Sequence, residues 1–189
     1  MKAMLCKEYG PPERLVLEEV PSTPPGGGEV RIRVRAAGVN FPDVLIIKGE
    51  YQFKPTPPFA PGAEIAGDVV EVGDGGTGVA VGDRVIGMCG WNGFAEEVTI
   101  AAARCLRMPA SMGYDVGASL SMTYGTSYHA LVQRGRLRAG ETLLVLGATG
   151  GVGTAAVEIG KLLGARVIAA GGSDEKLARV SSTTRRITS

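Results

Sequence analysis

The sequence predicts an α/β protein in two parts, a small β-barrel or sandwich followed by the first β-α-β unit of a parallel sheet. The first hundred residues contain short stretches of alternating polarity separated by glycine and proline, which is typical of strands joined by turns. Residues 142–170 then contain two apolar runs around a glycine-rich turn, the pattern of buried parallel strands. The 29 glycines, about twice the usual share of ~7%, fit a chain with many tight turns.

The strands of the first part are short and often interrupted. The clearest spans residues 30–36, where apolar residues alternate with arginines, so one face is expected to be buried. Further strand-forming runs cover residues 15–20, 65–72, 84–86 and 94–100. Because many short strands separated by turns are typical of closed or paired sheets, the first part is expected to be a barrel or a sandwich.

Helical spacing replaces the strand pattern after the first part. Residues 142–146 and 166–170 are the two apolar strands of the β-α-β unit, and we expect each to be buried on both faces. A helix lies between them. The sequence therefore predicts a first domain at residues 1–115 and a second domain at residues 116–180.

The last nine residues differ in composition from the rest of the chain. Residues 181–189 contain six hydroxyl side chains and one large apolar side chain, so we expect them to supply no further buried strand. A doubly wound sheet usually has about six strands, and the sequence predicts only two. The expectation is a C-terminal truncation or frame change near residue 180 followed by a non-native or disordered tail; a natural flexible C-terminus is the alternative.

Composition excludes several classes of protein. The net charge is +1, and the lysines and arginines are scattered along the sequence. The sequence therefore shows no basic cluster of the kind that binds nucleic acid or an anionic membrane. No apolar stretch approaches the ~18 residues of a membrane span, and the N-terminus lacks a secretory apolar region. With one histidine, His129, and three cysteines without a Cys-x-x-Cys pair, no metal site is predicted. We expect a soluble, cytoplasmic protein.

The glycine-rich turn at residues 147–153 stands where a dinucleotide-binding turn would stand. A buried strand precedes it and a helix follows, so free N–H groups and the positive helix end could face a pyrophosphate. The spacing is Gly-x-x-Gly-Gly-x-Gly rather than the strict Gly-x-Gly-x-x-Gly, and the flanking strands and helix support the assignment. The expected cofactor-binding residues here are Ala148, Thr149, Gly150, Gly151, Val152 and Gly153.

The end of the second apolar strand bears on the choice of cofactor. Small residues occupy positions 169–172, where an acidic residue would bind an unphosphorylated ribose. Ser173 and Lys176 could bind a 2′-phosphate instead, the hydroxyl by hydrogen bonding and the ammonium by its charge. Asp174 and Glu175 are expected to cap a helix or face solvent. The sequence therefore favours NADPH over NADH.

Five motifs in order support a family resemblance. They are Ala-Ala-Gly-Val-Asn-Phe-Pro-Asp at 36–43, Pro-Gly-Ala-Glu-Ile-Ala-Gly at 61–67, Gly-Asp-Arg-Val at 82–85, Thr-Ser-Tyr-His-Ala-Leu at 126–131 and Gly-Glu-Thr-Leu-Leu-Val-Leu-Gly-Ala-Thr-Gly-Gly-Val-Gly at 140–153. In them the chain resembles the zinc-free quinone oxidoreductases, or zeta-crystallin-like members, of the medium-chain dehydrogenase/reductase superfamily. The resemblance implies a GroES-like β-barrel catalytic domain followed by the beginning of a Rossmann domain, with NADPH in the cleft between. It also implies a quinone or related α,β-unsaturated carbonyl as substrate, and a homodimer for the full-length members.

The resemblance also implies roles for individual residues. Asn40 would lie near the nicotinamide carboxamide or the substrate carbonyl, and Thr126 would contact the cofactor. Asp43 is either an active-site carboxylate or a helix N-terminal one. Tyr51 either donates a hydrogen bond or proton to a substrate oxygen or is a structural tyrosine.

Two positions bear on metal binding. The zinc-dependent relatives have a cysteine where this chain has Asn40 and a histidine where it has Ala63, so both zinc ligands are absent. In those relatives the acid that matches Glu64 supports the metal; here the expectation is a structural salt bridge.

Two alternatives stay open. The same motifs occur in enoyl reductases of the superfamily that act on acryloyl thioesters. The other alternative is a non-catalytic truncated product that associates through exposed strand edges, since an incomplete parallel sheet leaves backbone groups unpaired. On either view, we expect the second part to be marginally stable and the activity of this chain to be very low.

Overall fold

The computed structural model describes residues 1–180 and the backbone of residues 185–188. The strands are β1 (Lys2–Leu5), β2 (Val16–Glu19), β3 (Glu29–Gly38), β4 (Glu64–Val72), β5 (Arg84–Met88), β6 (Glu97–Ala101), β7 (Cys105–Arg107), β8 (Thr142–Leu146), β9 (Arg166–Gly171) and β10 (Arg185–Thr188). The α-helices are α1 (Phe41–Ile47), α2 (Tyr114–Gly117), α3 (Thr126–Tyr128), α4 (Gly151–Leu162) and α5 (Asp174–Arg179). Short 3₁₀ turns lie at Pro12–Arg14 and Ala102–Arg104, and π-helical turns lie at Ser121–Gly125 and His129–Arg134.

The chain divides into two units, residues 1–119 and residues 120–189. In the first, five antiparallel strands follow the order β6-β3-β4-β5-β7. β1 and β2 form a separate antiparallel pair. Isolated bridges join Ala3 to Ala95 and Cys6 to Phe59, so the N-terminal pair is tied to later segments of the same unit.

Side-chain alternation along β3 separates a core face from a solvent face. Val30 and Ile32 are fully buried, whereas Arg31 lies on the opposite face and forms ion pairs with Glu71 and Glu97. The same apolar core includes Ile65, Val69, Val85, Val98 and Ile100 from the neighbouring strands. Because burial of each such side chain contributes ~1.5–3 kcal/mol, this core is the main source of stability in the first unit.

The second unit contains a parallel sheet in the order β10-β9-β8. This is the order of the first three strands of a doubly wound dinucleotide-binding sheet. α4 connects β8 to β9 and packs closely on both strands at Gly160, where an added Cβ would lie 2.6 Å from Leu143 Cδ2. The glycine therefore allows the helix to approach the sheet.

Only one face of the β8–β9 pair is covered in the described part of the chain. Val145 and Ala169 are buried beneath α4 and α5, together with Leu177. On the other face of β8, Leu144 is 55% exposed and Leu146 is 75% exposed. The expectation that this strand is buried on both faces is therefore wrong, because the elements present cover a single side of the sheet.

The sheet also has a third strand, which differs from the two strands predicted from the sequence. β10 pairs in parallel with β9, from Arg185 opposite Ile168 to Thr188 opposite Gly171. The expectation of only two strands rested on side-chain composition, whereas pairing at a sheet edge uses backbone N–H and C=O groups that every residue here carries. Residues 181–184 and 189 lie outside the described residues, so the rest of the tail hypothesis stays a prediction.

The helices in the described part of the chain are all too short or too polar to cross a membrane.

Candidate functional site

The glycine-rich turn between β8 and α4 has a backbone that requires glycine at two positions. Gly147 has φ of +65°, a left-handed conformation that side chains with a Cβ disfavour. At Gly153 an added Cβ would lie 2.3 Å from the carbonyl oxygen of Gly147. The N–H of Ala148 donates to the carbonyl of Ala170 at 3.0 Å, which extends the strand pairing into the turn. The chain therefore reverses tightly at the carboxyl end of the sheet.

The start of α4 is suited to an anionic ligand. Gly150 occupies the N-cap position, and no side chain in the described residues caps this end. The first N–H groups of an α-helix have no partner within the helix, and the helix dipole makes this end positive. The N–H of Gly150 already donates to the carbonyl of Gly147 at 3.1 Å, so the donors offered to a ligand are those of the first helical residues, Gly151, Val152 and Gly153. Phosphate groups bind at such ends.

The turn is braced by hydroxyl groups that sequence reasoning missed. Ser127 is 2% exposed, and its hydroxyl donates to the carbonyl of Val152 at 2.9 Å. The Thr154 hydroxyl donates to the carbonyl of Ala148 at 3.2 Å. The predicted contact residue Thr126 is exposed, at the start of α3. Buried polar groups need a partner, but the burial of Ser127 is a property of the structure, so the sequence carried no signal for this role.

The end of β9 lies against the same turn. An added Cβ at Gly171 would contact Thr149 Cγ2 at 3.3 Å, so the second strand ends beside the glycine-rich segment. Ser173 is the N-cap of α5, and its hydroxyl accepts from the N–H of Lys176 at 3.4 Å. The Lys176 side chain is exposed. Glu175 faces solvent in an ion pair with Arg179.

In the first unit, Asn40 is held by two buried carboxylates. It is the N-cap of α1, and its backbone N–H donates to Asp43 Oδ2 at 2.7 Å. Its side-chain Nδ2 donates to Glu64 Oε1 at 2.9 Å. Asp43 also accepts from the N–H of Gly62 at 3.1 Å, and so joins α1 to the segment before β4. These contacts make Asp43 an anchor of the local backbone.

Burial shifts the pKa of two groups near Asn40, the carboxyl of Asp43 and the thiol of Cys89. It raises the pKa of Asp43, although the backbone N–H groups of Asn40, Gly62 and Ala63 lower it in part. Burial also raises the pKa of Cys89 to about 12, and the negative charges of Asp43 and Glu64 add to this effect. The Cys89 thiol donates to the carbonyl of Gly62 at 3.3 Å. Because the thiolate is the nucleophile, Cys89 is a structural thiol.

The other predicted residues of this unit lie in different surroundings. Tyr51 packs against the cluster of Ile46 and Ile47, and its ring meets that of Phe53 edge-on at 5.9 Å. These contacts fit the structural interpretation of Tyr51. Beside Asn40, the Phe41 side chain is 73% exposed, which leaves an apolar surface next to the amide.

Asn40 and Ala63 stand at the positions where, by the resemblance, the zinc-dependent relatives have a cysteine and a histidine that bind zinc. Ala63 is 8% exposed and has no group that can bind a metal. Across the described ranges, no cluster of three or more histidine, cysteine, aspartate or glutamate side chains is arranged to hold a metal ion. The absence of zinc itself stays a prediction.

Comparisons with known proteins agree with this arrangement along nearly the whole chain. Residues 26–118 match the family model of the alcohol dehydrogenase GroES-like domain. The chain is 42% identical over 172 residues to quinone oxidoreductase-like protein 2 homolog of Nematostella vectensis, covering 89% of this chain and 47% of that protein.

Two solved structures illustrate the range of similar folds. The quinone oxidoreductase of Thermus thermophilus, also solved in complex with NADPH, is similar at TM-score 0.84 and 34% identity over 98% of this chain and 60% of that one. The CurK enoyl reductase is similar at TM-score 0.90 and 29% identity over 99% of this chain and 59% of that one.

The chain spans about half the length of the quinone oxidoreductase relatives that it matches, from 47% to 54%. Within that span, the antiparallel first unit and the strand, glycine turn and helix of the second unit follow the architecture implied by the motifs. The chain belongs to the quinone oxidoreductase family of the medium-chain dehydrogenase/reductase superfamily, with a GroES-like domain and the first β-α-β unit of a Rossmann domain.

Proposed function

We propose that the chain carries the cofactor-binding turn and the carbonyl-polarising residue of an NADPH-dependent oxidoreductase. Its substrate would be a quinone or a related α,β-unsaturated carbonyl. The observation that carries the proposal is the glycine turn at α4, where Gly147 and Gly153 permit a tight reversal and the uncapped helix end offers N–H donors. A pyrophosphate fits such a cradle because its oxygens are acceptors and its charge is negative.

The preference for NADPH is supported at the end of β9. Ser173 and Lys176 lie together at the start of α5, next to the glycine turn. A 2′-phosphate could accept from the Ser173 hydroxyl and pair with the exposed Lys176 ammonium. The adjacent Gly171 and Gly172 supply no carboxylate that would repel the phosphate.

Asn40 is the residue we propose to polarise the reacting system. An amide has two N–H donors and a carbonyl acceptor, and Glu64 occupies one of these donors. The Asn40 side chain also accepts from the backbone N–H of Asp43 in a capping box at the start of α1. The remaining donor and the second lone pair of the carbonyl oxygen can bind the nicotinamide carboxamide or a substrate carbonyl. NADPH, when bound, supplies the hydride, so the protein needs no nucleophile of its own. Asp43 would act by holding the α1 backbone rather than by touching substrate.

The remaining features of the proposal concern setting and partners. We propose a cytoplasmic enzyme that acts on a small molecule without a metal ion, nucleic acid or membrane partner, as a homodimer in the full-length members. The net charge of +1 supports the absence of a polyanionic partner. Size measurement and elemental analysis of the purified protein test the dimer and the absence of metal.

The first test is titration of the full chain with NADPH and NADH, followed by cofactor fluorescence. Lys176→Ala should weaken NADPH binding roughly ten- to a hundred-fold, since a charge-assisted contact of this kind is worth ~1.5–3 kcal/mol. Binding of NADH should change little. Arg179→Ala is the matched control, because it removes the same charge from the same helix.

The control should bind both cofactors as the wild type does. An equal loss of affinity for NADPH and for NADH in Lys176→Ala would show that the lysine does not bind the 2′-phosphate. A wild-type chain that binds neither cofactor would contradict the proposal as a whole.

The similarity to the CurK enoyl reductase favours one second candidate, reduction of an enoyl thioester. Both activities use the same hydride donor and the same polarised carbonyl, so the site residues do not separate them. Stopped-flow oxidation of NADPH with a quinone and with an acryloyl thioester does, measured on a version of the protein extended to the full length of its relatives because very low activity is expected of this chain. Faster oxidation with the thioester would assign the chain to the enoyl reductases.

A further inference from the structure

Glu64 is among the most enclosed side chains of the first unit. It is 1% exposed at the first position of β4. A carboxylate removed from water is costly unless hydrogen bonds compensate it. One of its oxygens, Oε1, accepts from Asn40 Nδ2 at 2.9 Å. The buried charge is thus directed at the residue that the proposed function places closest to the chemistry.

The neighbouring strand leaves room for this contact. Gly38, the last residue of β3, pairs with Glu64 in the strand register. An added Cβ at Gly38 would lie 2.6 Å from Glu64 Oε1 and 2.3 Å from the carbonyl oxygen of Ala118. Any larger residue would have to displace the carboxylate oxygen that accepts from Asn40. The space at Gly38 and the position of Glu64 are therefore parts of one arrangement.

The contact also determines which end of the Asn40 amide faces inward. The two ends of an amide have similar shape but opposite hydrogen-bonding character. A carboxylate only accepts, so it attracts the NH₂ end and repels the carbonyl end. Asp43 holds Asn40 at two points: its carboxylate accepts from the Asn40 backbone N–H at 2.7 Å, and its own backbone N–H donates to the Asn40 side chain in a capping box, which agrees with the orientation set by Glu64. Both the position of the residue and the rotation of its amide are thus determined within the first unit.

We infer that Glu64 is a positioning residue that orients the Asn40 amide to present its carbonyl oxygen and one N–H to a carboxamide ligand. A carboxamide carries the complementary pair, an NH₂ donor and a carbonyl acceptor. The inference rests on the proposed function, because the nicotinamide ring of NADPH bears such a group. It assigns Glu64 a role other than the structural salt bridge expected from the sequence.

The orientation is tested in the full chain without turnover. The side-chain NH₂ signals of Asn40 are assigned in a ¹⁵N spectrum by their loss in Asn40→Asp. In the wild type we expect one of the two hydrogens to exchange slowly with solvent. In Glu64→Gln its exchange should be roughly tenfold faster or more, because the charge-assisted bond is lost. An unchanged exchange rate, with the other signals of the first unit intact, would overturn the inference.

A second experiment measures the effect of Glu64 on ligand binding. It uses two ligands, NADPH and 2′-phospho-ADP-ribose, and the second of these lacks the nicotinamide. Glu64→Gln should weaken NADPH several-fold and leave the fragment unchanged. The double variant Asn40→Asp/Glu64→Gln restores a buried hydrogen bond with its direction reversed, so it should regain part of the melting temperature that Glu64→Gln loses. It should still bind NADPH weakly, because the carboxylate that replaces the amide presents no N–H.

Recovery of NADPH affinity in the double variant, or equal loss of both probes in Glu64→Gln, would assign Glu64 a merely structural role and overturn the inference. A wild type that binds neither probe would contradict the proposed function. In that case the exchange rates of the Asn40 side-chain NH₂ hydrogens would still test whether Glu64 orients the amide.

Discussion

Asp43 and Glu64 are enclosed carboxylates that each hold a different polar group of Asn40, the backbone N–H and the side-chain NH₂. Both carboxylates are buried, and in this they differ from the ion pairs at the surface of the chain. Exposed pairs such as Arg179 with Glu175 contribute little, whereas removal of one partner from a buried contact leaves the other unsatisfied. Substitution at these enclosed positions should therefore have larger effects than at any surface charge of the chain.

The pH dependence of stability tests the environment of Asp43. Burial raises its pKa above the ordinary value of 3.8, so the folded chain binds this proton more tightly than the unfolded chain. The stabilisation from Asp43 is then complete below its unfolded pKa and is lost as pH rises through the folded pKa. We expect the free energy of unfolding, wild type minus Asp43→Asn, to fall with rising pH and then level off.

Urea unfolding of both proteins between about pH 4 and pH 7 measures this difference. Cys89 is present in both proteins, and its pKa of about 12 lies far above this range, so it does not contribute to the difference. A difference that rises with pH would show that hydrogen bonds from backbone N–H groups outweigh burial at this carboxylate.

At the scale of elements, the two sheets differ in how they are covered. β3 and β4 lie in the middle of a five-stranded sheet above a continuous apolar core. β8 lies at the edge of its sheet and exposes Leu144 and Leu146. Local opening is easiest where few apolar contacts have to be broken.

Hydrogen exchange measures this difference directly. Backbone amides of β8 and β9 should exchange much faster than those of β3 and β4, because the second sheet is covered on one face. Mass spectrometry of peptides from each strand gives the rates. Equal protection of the two sheets would show that a contact outside the described residues covers the bare face.

The bare face of β8 also predicts how the chain behaves at high concentration. Leu146→Lys should leave the free energy of unfolding within ~0.5 kcal/mol of the wild type, because the side chain is already 75% exposed. It should reduce concentration-dependent association, since a charge on an exposed apolar sheet opposes face or edge contacts. Sedimentation equilibrium measures the association.

Val145→Lys is the contrasting variant, because Val145 is 7% exposed and faces α4. It should unfold the second unit. A wild type that stays monomeric over the whole concentration range would contradict the expected association.

At the scale of the whole molecule, the features predicted from sequence are those with local determinants. The alternation at residues 30–36 and the glycine turn at 147–153 each carry their signal within a few residues, and the structure confirms both elements. The inward Ser127 hydroxyl and the strand β10 depend on contacts with distant segments, and sequence periodicity does not record such contacts. The pairing of Asn40 with Glu64 belongs to the same group, since 24 positions separate the two residues.

The two units should unfold separately. The first has the larger apolar core, and the second has a sheet with one bare face, so heating should give two transitions with the second unit at the lower temperature. If α4 binds the cofactor, NADPH at about a hundred times its Kd stabilises that unit by ~2.7 kcal/mol, enough to raise a small domain's transition by roughly 10 °C or more. The upper transition should move little.

Scanning calorimetry of the full chain with and without NADPH tests this, with Gly153→Ala as the control. Its added Cβ would lie 2.3 Å from the Gly147 carbonyl oxygen and distort the turn, so NADPH should no longer raise its lower transition. Gly160→Ala also crowds the second unit, at 2.6 Å from Leu143, but leaves the turn unchanged. In Gly160→Ala the lower transition should occur at a lower temperature than in the wild type, and NADPH should still raise it. A single transition would contradict the independence of the units, and a response in Gly153→Ala would place the binding of NADPH elsewhere.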